Sequence, residues 1–240
     1  MTAERATINR QRRNAVQKRP ALPTTNRGKA TREKLKAALS TLLEDKAFEE
    51  IRLKDIAAEA DVPVSLIYHY FQSKVDITYE VLAHLLDSFS AEVETRPNDN
   101  RSGTTIHYAN QRMVALYSRN PGAMRCLLQV HEGMAPFAKM WREYSHDWNR
   151  RIAASIRKQF PEAFDSDSKY ISLAYALSGT ADSFLFEYFV QKNPELRKAY
   201  PAHEDIAAFL TTLWHRALYL CNPRTEILRS LSGFELLSID

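Results

Sequence analysis

The chain has 240 residues, 45% of them apolar, and a formal net charge of +4. It contains only six glycines and no run in which β-branched and polar residues alternate. These features disfavour Rossmann-type and β-rich folds and predict an all-α protein with one domain, or a small domain followed by a medium-sized one. No apolar segment has the length of a membrane span and no hydrophobic signal region begins the sequence, so a cytoplasmic location is expected.

Residues 1–30 form a basic segment with eight Lys and Arg residues and one acidic residue, Glu4. The remaining chain is slightly acidic as a consequence. Low hydrophobicity, Pro20, Pro23 and Gly28 predict that this arm is disordered. Two interpretations remain open: an arm that binds phosphate groups or enters a minor groove, and an extension that only improves solubility.

Three helices are predicted next, at residues 31–45, 53–60 and 63–71. Their apolar residues recur at helical spacing: Leu35, Leu39, Leu42 and Leu43, then Ile56, Ala57 and Ala60, then Ile67, Tyr70 and Phe71. The two shorter helices cannot bury their apolar faces alone, so all three are expected to share one small core. This arrangement is a helix-turn-helix, in which the third helix reads the major groove of DNA.

A fourth helix is predicted from Ser73 to Thr95, where Ser73 and Asp76 form a capping-box-like pair. The polar loop at 96–103 follows it. The predicted division is a disordered arm (1–30), a helix-turn-helix domain (31–76), a larger helical domain (77–222), for which ligand binding and dimerisation are expected from the residues described below, and a C-terminal tail (223–240).

The larger domain is predicted to contain helices at residues 104–119, 122–132, 136–160, 168–192 and 203–221. Prolines fall at the helix edges, where they are tolerated. Cys126 and Cys221 lie far apart in apolar helical segments, so buried free thiols are favoured over a disulfide or a redox switch.

Over residues 31–80 the chain resembles the TetR family of transcriptional regulators. The residues that carry the resemblance are Ile56-Ala57, Ala60, Val62, the run Ile67-Tyr68-His69-Tyr70-Phe71, and Ser73-Lys74. Two positions depart from the family pattern. Asp61 replaces the usual turn glycine, which is tolerable because Asp adopts left-handed backbone angles more readily than most residues. Pro63 replaces a frequent capping serine and is expected at the first helical position, so the helix should begin near Val62 or Pro63.

The DNA contacts are predicted on and beside the third helix. Val64, Ser65, Leu66 and His69 are not needed for the core, so they are expected to contact bases. The resemblance implies that Lys54, at the start of the second helix, reaches a base or the backbone, and that Tyr68 and Tyr70 contact phosphates. Lys74 is a further phosphate candidate because the N-terminal dipole of the fourth helix and its own charge both favour an anion, and Arg32 is another near the start of the first helix. Of these, Tyr70 would serve equally well as a core residue.

A ligand pocket is predicted around the third helix of the larger domain, where Met134, Phe137, Met140, Trp141, Tyr144 and Trp148 recur at helical spacing. Flexible Met side chains and aromatic rings with polar edges suit an apolar or aromatic effector. His107, His131 and Asp182 are candidate polar anchors. Ordinary core packing explains the same pattern about as well.

A dimer interface is predicted on the last two long helices, because they are apolar on more sides than the surface of a monomer permits. The candidate residues are Phe184, Tyr188, Phe209, Leu213, Trp214 and Ala217. The resemblance implies a two-fold interface between these helices. The alternative is that the residues form the interior of the domain.

No metal-binding motif, phosphate-binding glycine loop or catalytic serine motif occurs. Neither a cofactor nor a catalytic residue is expected. The sequence predicts a homodimeric, ligand-responsive regulator, most simply a repressor that a small effector releases from a palindromic DNA operator. Two alternatives are a helical small-molecule enzyme or carrier with a vestigial DNA-binding domain, and a DNA packager driven by the basic arm.

Overall fold

A computed structural model describes residues 22–94, 104–130, 134–222 and 224–228. These residues form helices and connecting turns with no β-strand among them, which confirms the predicted all-α fold. The chain divides into two compact units, with the boundary between Val81 and Leu82. None of the described helices is both long and apolar enough to cross a membrane.

The first unit contains α1 (Asn26–Asp45), a 3₁₀ turn (Phe48–Glu50), α2 (Leu53–Glu59), α3 (Val64–Ile67) and the beginning of α4 (Lys74–Glu94). Its largest buried side chains come from every one of these elements and share one core. They are Leu35, Leu39, Leu43, Phe48, Ile51, Ile56, Ile67, Phe71 and Ile77. Burying each such side chain stabilises the fold by about 1.5 to 3 kcal/mol relative to leaving it exposed.

Helix α1 begins five residues earlier than predicted. The side chain of Thr25 accepts a hydrogen bond from the backbone of Gly28 at 3.1 Å and caps the helix. Gly28 also lies where a Cβ atom would stand 2.8 Å from the side chain of Pro23. The end of the predicted arm is therefore helical, whereas residues 1–21 lie outside the described part of the chain.

The turn between α2 and α3 forms as the sequence indicates at Asp61, which has a left-handed φ of 48°. The backbone N–H groups of Asp61 and Val62 donate to the carbonyls of Ala58 and Ala57, a pairing that ends helices at a left-handed residue. The prediction for Pro63 is wrong. Its ψ of 141° is extended, so it is the residue before the helix, and its carbonyl accepts from Leu66.

Helix α3 is also shorter than predicted. Only Val64–Ile67 is α-helical, and the chain continues to Phe71 through tighter turns in which His69 donates to the carbonyl of Leu66 and Tyr70 to that of Ile67. Side chains from this segment still project in a helix-like order, because such turns differ from an α-helix mainly in their tighter winding.

The second unit begins within α4 and continues with α5 (Thr104–Arg119), α6 (Pro121–Val130), α7 (Ala135–Gln159), α8 (Asp167–Leu185), a π-helical turn (Phe186–Val190), α9 (Pro194–Ala199), α10 (His203–Tyr219) and α11 (Thr225–Leu228). The most extensive helix pairs are α7 with α8 and α5 with α10. The predicted helix at 168–192 is thus interrupted after Leu185. Helix α9, capped by the side chain of Asn193, was not predicted.

The cysteine prediction is correct for one residue and wrong for the other. Cys126 is a buried free thiol, whereas Cys221 is free but exposed. Helix α10 ends at Tyr219, and Leu220 then adopts a left-handed φ of 55°. The chain therefore leaves the helix before Cys221, instead of carrying this residue along an apolar helical face.

Candidate functional site

The α3 segment has two chemically different sides. Ile67 and Phe71 are fully buried, whereas Val64 and Tyr68 are 39% and 58% exposed. Ser65 and His69 are exposed as well, and Leu66 is half-buried. The core side therefore fixes the rotation of the segment and leaves a surface that combines an apolar group, hydroxyls and an imidazole.

The remaining predicted contact residues of the first unit differ in exposure. Lys54 is exposed in the first turn of α2, and Tyr70 is half-buried, between the exposed His69 and the fully buried Phe71. The predicted contacts of Lys54, Tyr68 and Tyr70 with DNA stay predictions.

Arg32 already has partners within the first unit. Its guanidinium forms a two-pronged ion pair with the carboxylate of Glu80, and its Cζ lies 4.5 Å from the centre of the Phe71 ring. These contacts connect α1 to α4 and cover Phe71, the buried residue at the end of the α3 segment. The structure thus gives Arg32 a packing role, and its predicted phosphate contact stays untested.

Lys74 is held in a similar way. Its ammonium donates to the carbonyls of Phe48 and Ile51, the latter at 2.7 Å, and lies 4.0 Å from the centre of the Phe48 ring. The cation therefore joins the start of α4 to the 3₁₀ turn. A phosphate could be bound only by sharing this ammonium with those carbonyls. Both partners lie more than twenty positions away in sequence, which is why the sequence pattern did not show them.

The second unit contains a cavity of about 240 Å³ between α5, α7 and α10. Its lining is mostly apolar, with a few polar groups, as in many small-molecule sites. The lining residues are Thr105, Ile106, Ala109, Asn110, Met113, Trp148, Arg151, Ile152, Ser155, Ile156, Gln159, Phe160, Trp214, Leu218 and Tyr219. Of the predicted pocket residues only Trp148 lies here, and Trp214 had been predicted at the dimer interface.

A smaller cavity of about 20 Å³ brings together most of the predicted polar and aromatic pocket residues. Trp141, Tyr144 and Trp148 recur along one face of α7 and meet Asp182 of α8 there. Met113 and Trp148 line both cavities and so form part of the wall between them.

The other predicted pocket residues lie elsewhere. Phe137 is fully buried and borders neither of these two cavities, and Met134 precedes α7. A nitrogen of the His107 ring lies 3.1 Å from the hydroxyl of Thr211, and burial lowers the pKa of this histidine. His131 is outside the described residues.

Asp182 and Tyr117 form the polar centre of the smaller cavity. The Tyr117 hydroxyl donates to Oδ1 of Asp182 at 3.1 Å. Part of the Asp182 residue remains exposed, but its carboxylate is enclosed. This burial raises the pKa of Asp182 to about 6, and the hydrogen bond from Tyr117 acts in the opposite direction. Burial also raises the pKa of Tyr117 and of Tyr144, whose hydroxyl bonds to Ser90.

The predicted dimer residues are mostly packed within the second unit. Tyr188 and Trp214 are buried, and Phe184 packs against Phe209 with ring centres 5.1 Å apart. Leu213 is half-buried and Ala217 is exposed. The exposed side of α8 carries five residues outside that predicted set: Tyr175, Ala176, Gly179, Thr180 and Ser183. Their spacing at three to four residues was the available signal.

Among the described residues no cluster of three or more His, Cys, Asp or Glu side chains is arranged to hold a metal ion. Asp182 and Asn110 instead line the two mostly apolar cavities, where Asp182 accepts from the Tyr117 hydroxyl and Asn110 donates to the Thr211 hydroxyl. Such a lining is suited to orienting a bound organic molecule.

Comparison with known proteins gives matches in both sequence and fold. Residues 35–81 match the family described as bacterial regulatory proteins, tetR family. The HTH-type transcriptional regulator EthR of Mycolicibacterium smegmatis is 23% identical over 192 residues, covering 76% of this chain and 83% of that protein.

Two solved structures show the same fold at low sequence identity. A transcriptional regulator from Rhodococcus sp. Rha1 has a TM-score of 0.63 at 17% identity, over 75% of this chain and 91% of the other. The fatty acid degradation regulator FadR of Bacillus halodurans has a TM-score of 0.62 at 14% identity, over 81% and 97% of the two chains.

The buried carboxylate leads to a prediction about stability. Replacing Asp182→Asn keeps an acceptor for Tyr117 and removes the cost of burying a charge, so the variant should be more stable by about 1 to 3 kcal/mol at pH 7.5. Because the folded pKa is about 6 and the ordinary value is 3.8, the wild type becomes more stable as the pH falls from 6 towards 4. The difference between the two proteins should shrink over that range.

Urea denaturation of both proteins at pH 7.5 and pH 4.5 measures this effect. Asp147→Asn, at an exposed position of α7, is the matched control and should change stability little at either pH. A variant that is less stable than the wild type at pH 7.5, or a difference that does not depend on pH, would contradict the assignment.

Proposed function

We propose, from the TetR-family DNA-binding domain that this chain carries, that the protein is a homodimeric repressor released from its DNA operator by a small molecule. The observation that carries the DNA-binding part is the two-sided α3 segment. Its buried side is locked into the core of the first unit, so its exposed side has one defined orientation. A rigidly held reading surface is what recognition of base edges requires.

The exposed residues of α3 suit direct contacts with bases. Val64 and Leu66 offer apolar contact to a thymine methyl group, and the Ser65 hydroxyl can bond to either kind of base. His69 can donate or accept, and Lys54 is a flexible cation at the start of α2. Tyr68 is the most exposed aromatic residue of the segment, which supports a phosphate contact through its hydroxyl.

A two-fold dimer suits the geometry of duplex DNA. Two α3 segments related by a two-fold axis would enter successive major grooves about 34 Å apart, and the operator would be a near-palindrome. The exposed side of α8 supports self-association, because Ala176, Gly179, Thr180 and Ser183 are small enough for two helices to approach closely, with Tyr175 beside them.

The cavities supply a site for the effector. A volume of about 240 Å³ with a largely apolar lining suits a molecule with an apolar or aromatic body. Helix α4 begins in the DNA-binding unit at Lys74 and contributes Leu86 and Phe89 to the smaller cavity. A ligand that favours the form unable to bind DNA by about 1 to 3 kcal/mol would lower DNA affinity about fivefold to 150-fold.

DNA binding provides the first test. His69→Ala removes one predicted base contact and should weaken binding to the DNA upstream of the protein's own coding sequence by about 1 to 3 kcal/mol, while the fold persists because His69 is exposed. Fluorescence anisotropy with labelled duplex measures the change. His146→Ala, at an exposed position of α7, is the control; equal affinities of the two variants would refute the reading role of α3.

Self-association provides the second test. Apart from the neighbouring residues and the backbone of its own helix, no heavy atom of the described residues lies within 4 Å of a Cβ added at Gly179. Gly179→Arg should therefore fit the isolated protomer and even favour the helix. In a dimer packed through α8 the same side chain would prevent close approach. Light scattering during size exclusion should give a dimer mass for the wild type and for Gly179→Ala, and a monomer mass for Gly179→Arg. A dimer mass for all three proteins would contradict this interface.

A further inference from the structure

The hydrogen-bond partner of the Asp182 carboxylate within the described residues is uncharged. Among the described residues no Lys, Arg or His forms an ion pair with it, and its hydrogen bond comes from the neutral Tyr117 hydroxyl. An enclosed anion without a counter-charge is costly, and a buried apolar residue at this position would cost nothing of that kind. The arrangement therefore suits a cation that arrives with a ligand.

The rings around this carboxylate favour the same charge. Trp141 and Tyr144 lie in a near-parallel stack with ring centres 6.0 Å apart, and Trp148 packs against Phe89 at 5.3 Å. The face of an aromatic ring carries negative electrostatic potential, so it attracts an ammonium group and repels an anion. The carboxylate and any ring face that borders the cavity therefore favour a cation. Their combination on the lining of one cavity is what points to a ligand.

Cavity size limits which cation would fit. The smaller cavity has about 20 Å³, which is roughly the room needed for one water molecule. A primary ammonium group is of that size, whereas a quaternary one is much bulkier. The apolar body of the ligand would need the larger cavity, of about 240 Å³, on the other side of the wall that contains Met113 and Trp148.

Met113 is the flexible part of the wall between the two cavities. Met113 has an unbranched side chain with several rotatable bonds, and such side chains reshape binding sites at low cost. A ligand that occupies both cavities would require the Met113 side chain to move aside next to Trp148. A single elongated ligand would then reach from the apolar chamber to Asp182.

We infer that the effector site takes an organic amine: an aromatic or aliphatic body in the larger cavity, and a primary ammonium that pairs with Asp182 among Trp141, Tyr144 and Trp148. This inference deepens the proposed function and rests on it for the regulatory meaning of binding. The rival ligand is an anion held by Arg151, a cation that lines the larger cavity. The two rivals differ in the charge of the ligand and in the side chain that recognises it.

Three probes with one body separate these ligands: 4-phenylbutylamine, 4-phenylbutan-1-ol and 4-phenylbutyrate. Binding to the full chain without DNA is measured at pH 7.5 by calorimetry. The amine should bind at least about tenfold more tightly than the alcohol, which corresponds to about 1.4 kcal/mol. The carboxylate should bind more weakly than the alcohol.

Variants then assign the preference to one residue. Asp182→Asn should weaken amine binding at least about tenfold and leave alcohol binding within about twofold, whereas Asp147→Asn should leave all three affinities unchanged. Asp182→Asn is expected to fold, since it removes a buried charge, and circular dichroism verifies this. An amine that binds no better than the alcohol, a carboxylate that binds best, or an amine affinity unaffected by Asp182→Asn would each overturn the inference.

The outcome is independent of DNA binding, because no DNA is present. If the amine preference and its dependence on Asp182 are observed, the ligand assignment holds even where the DNA-binding experiments fail. If the preference is absent while the chain binds its operator, the ligand assignment is wrong and the DNA-binding proposal is unaffected.

Discussion

The burial of Ile67 and Phe71 is the constraint on which the DNA-binding proposal depends. A helix of four residues has no stability of its own, since isolated helices need about 12 to 15 residues even to be marginal. The α3 segment therefore takes its position entirely from its neighbours: two fully buried side chains, the left-handed turn at Asp61, and the Arg32 guanidinium that packs over Phe71. The side chains of the segment that point away from the core are available to contact a partner molecule.

The second unit buries a carboxylate in a mostly apolar interior at a cost in stability. Most of its interior is apolar, yet a carboxylate and two tyrosine hydroxyls occupy the enclosed space between α5, α7 and α8. The hydrogen bond from Tyr117 offsets only part of the cost of burying Asp182, as the raised pKa of that carboxyl shows. Stability sacrificed at one polar position is characteristic of binding sites, which keep groups in readiness for a ligand.

Much of the helical arrangement was predictable because it depends on local periodicity. Leu35, Leu39 and Leu43 lie on one buried stripe, as their spacing indicated, and α5 has its predicted bounds of 104–119. The predicted helix ends were wrong where a single capping or turn residue determines where the helix begins or stops. Thr25 caps α1 ahead of the predicted start, and Pro63 precedes α3 instead of belonging to it. Leu220 turns the chain before Cys221.

The candidate sites were less accessible to sequence reasoning, because they depend on contacts between distant segments. Periodicity placed Trp141, Tyr144 and Trp148 on one face, but could not show that Asp182 would meet them. It also could not reveal the larger cavity, whose walls come from three helices far apart in sequence. In the first unit, the same limitation concealed the partners of Arg32 and Lys74, two cations whose charge and place near a helix start had suggested phosphate binding.

The central claim is that the outward side of α3 enters the major groove, twice per dimer. Dimethyl sulfate protection of guanine N7 on the DNA upstream of the coding sequence tests it most directly, since this atom is displayed in the major groove. The account predicts two protected clusters about 10 base pairs apart, centre to centre, and related by an approximate two-fold axis. Protein binding that protects the phosphate backbone while leaving every guanine N7 reactive would contradict it.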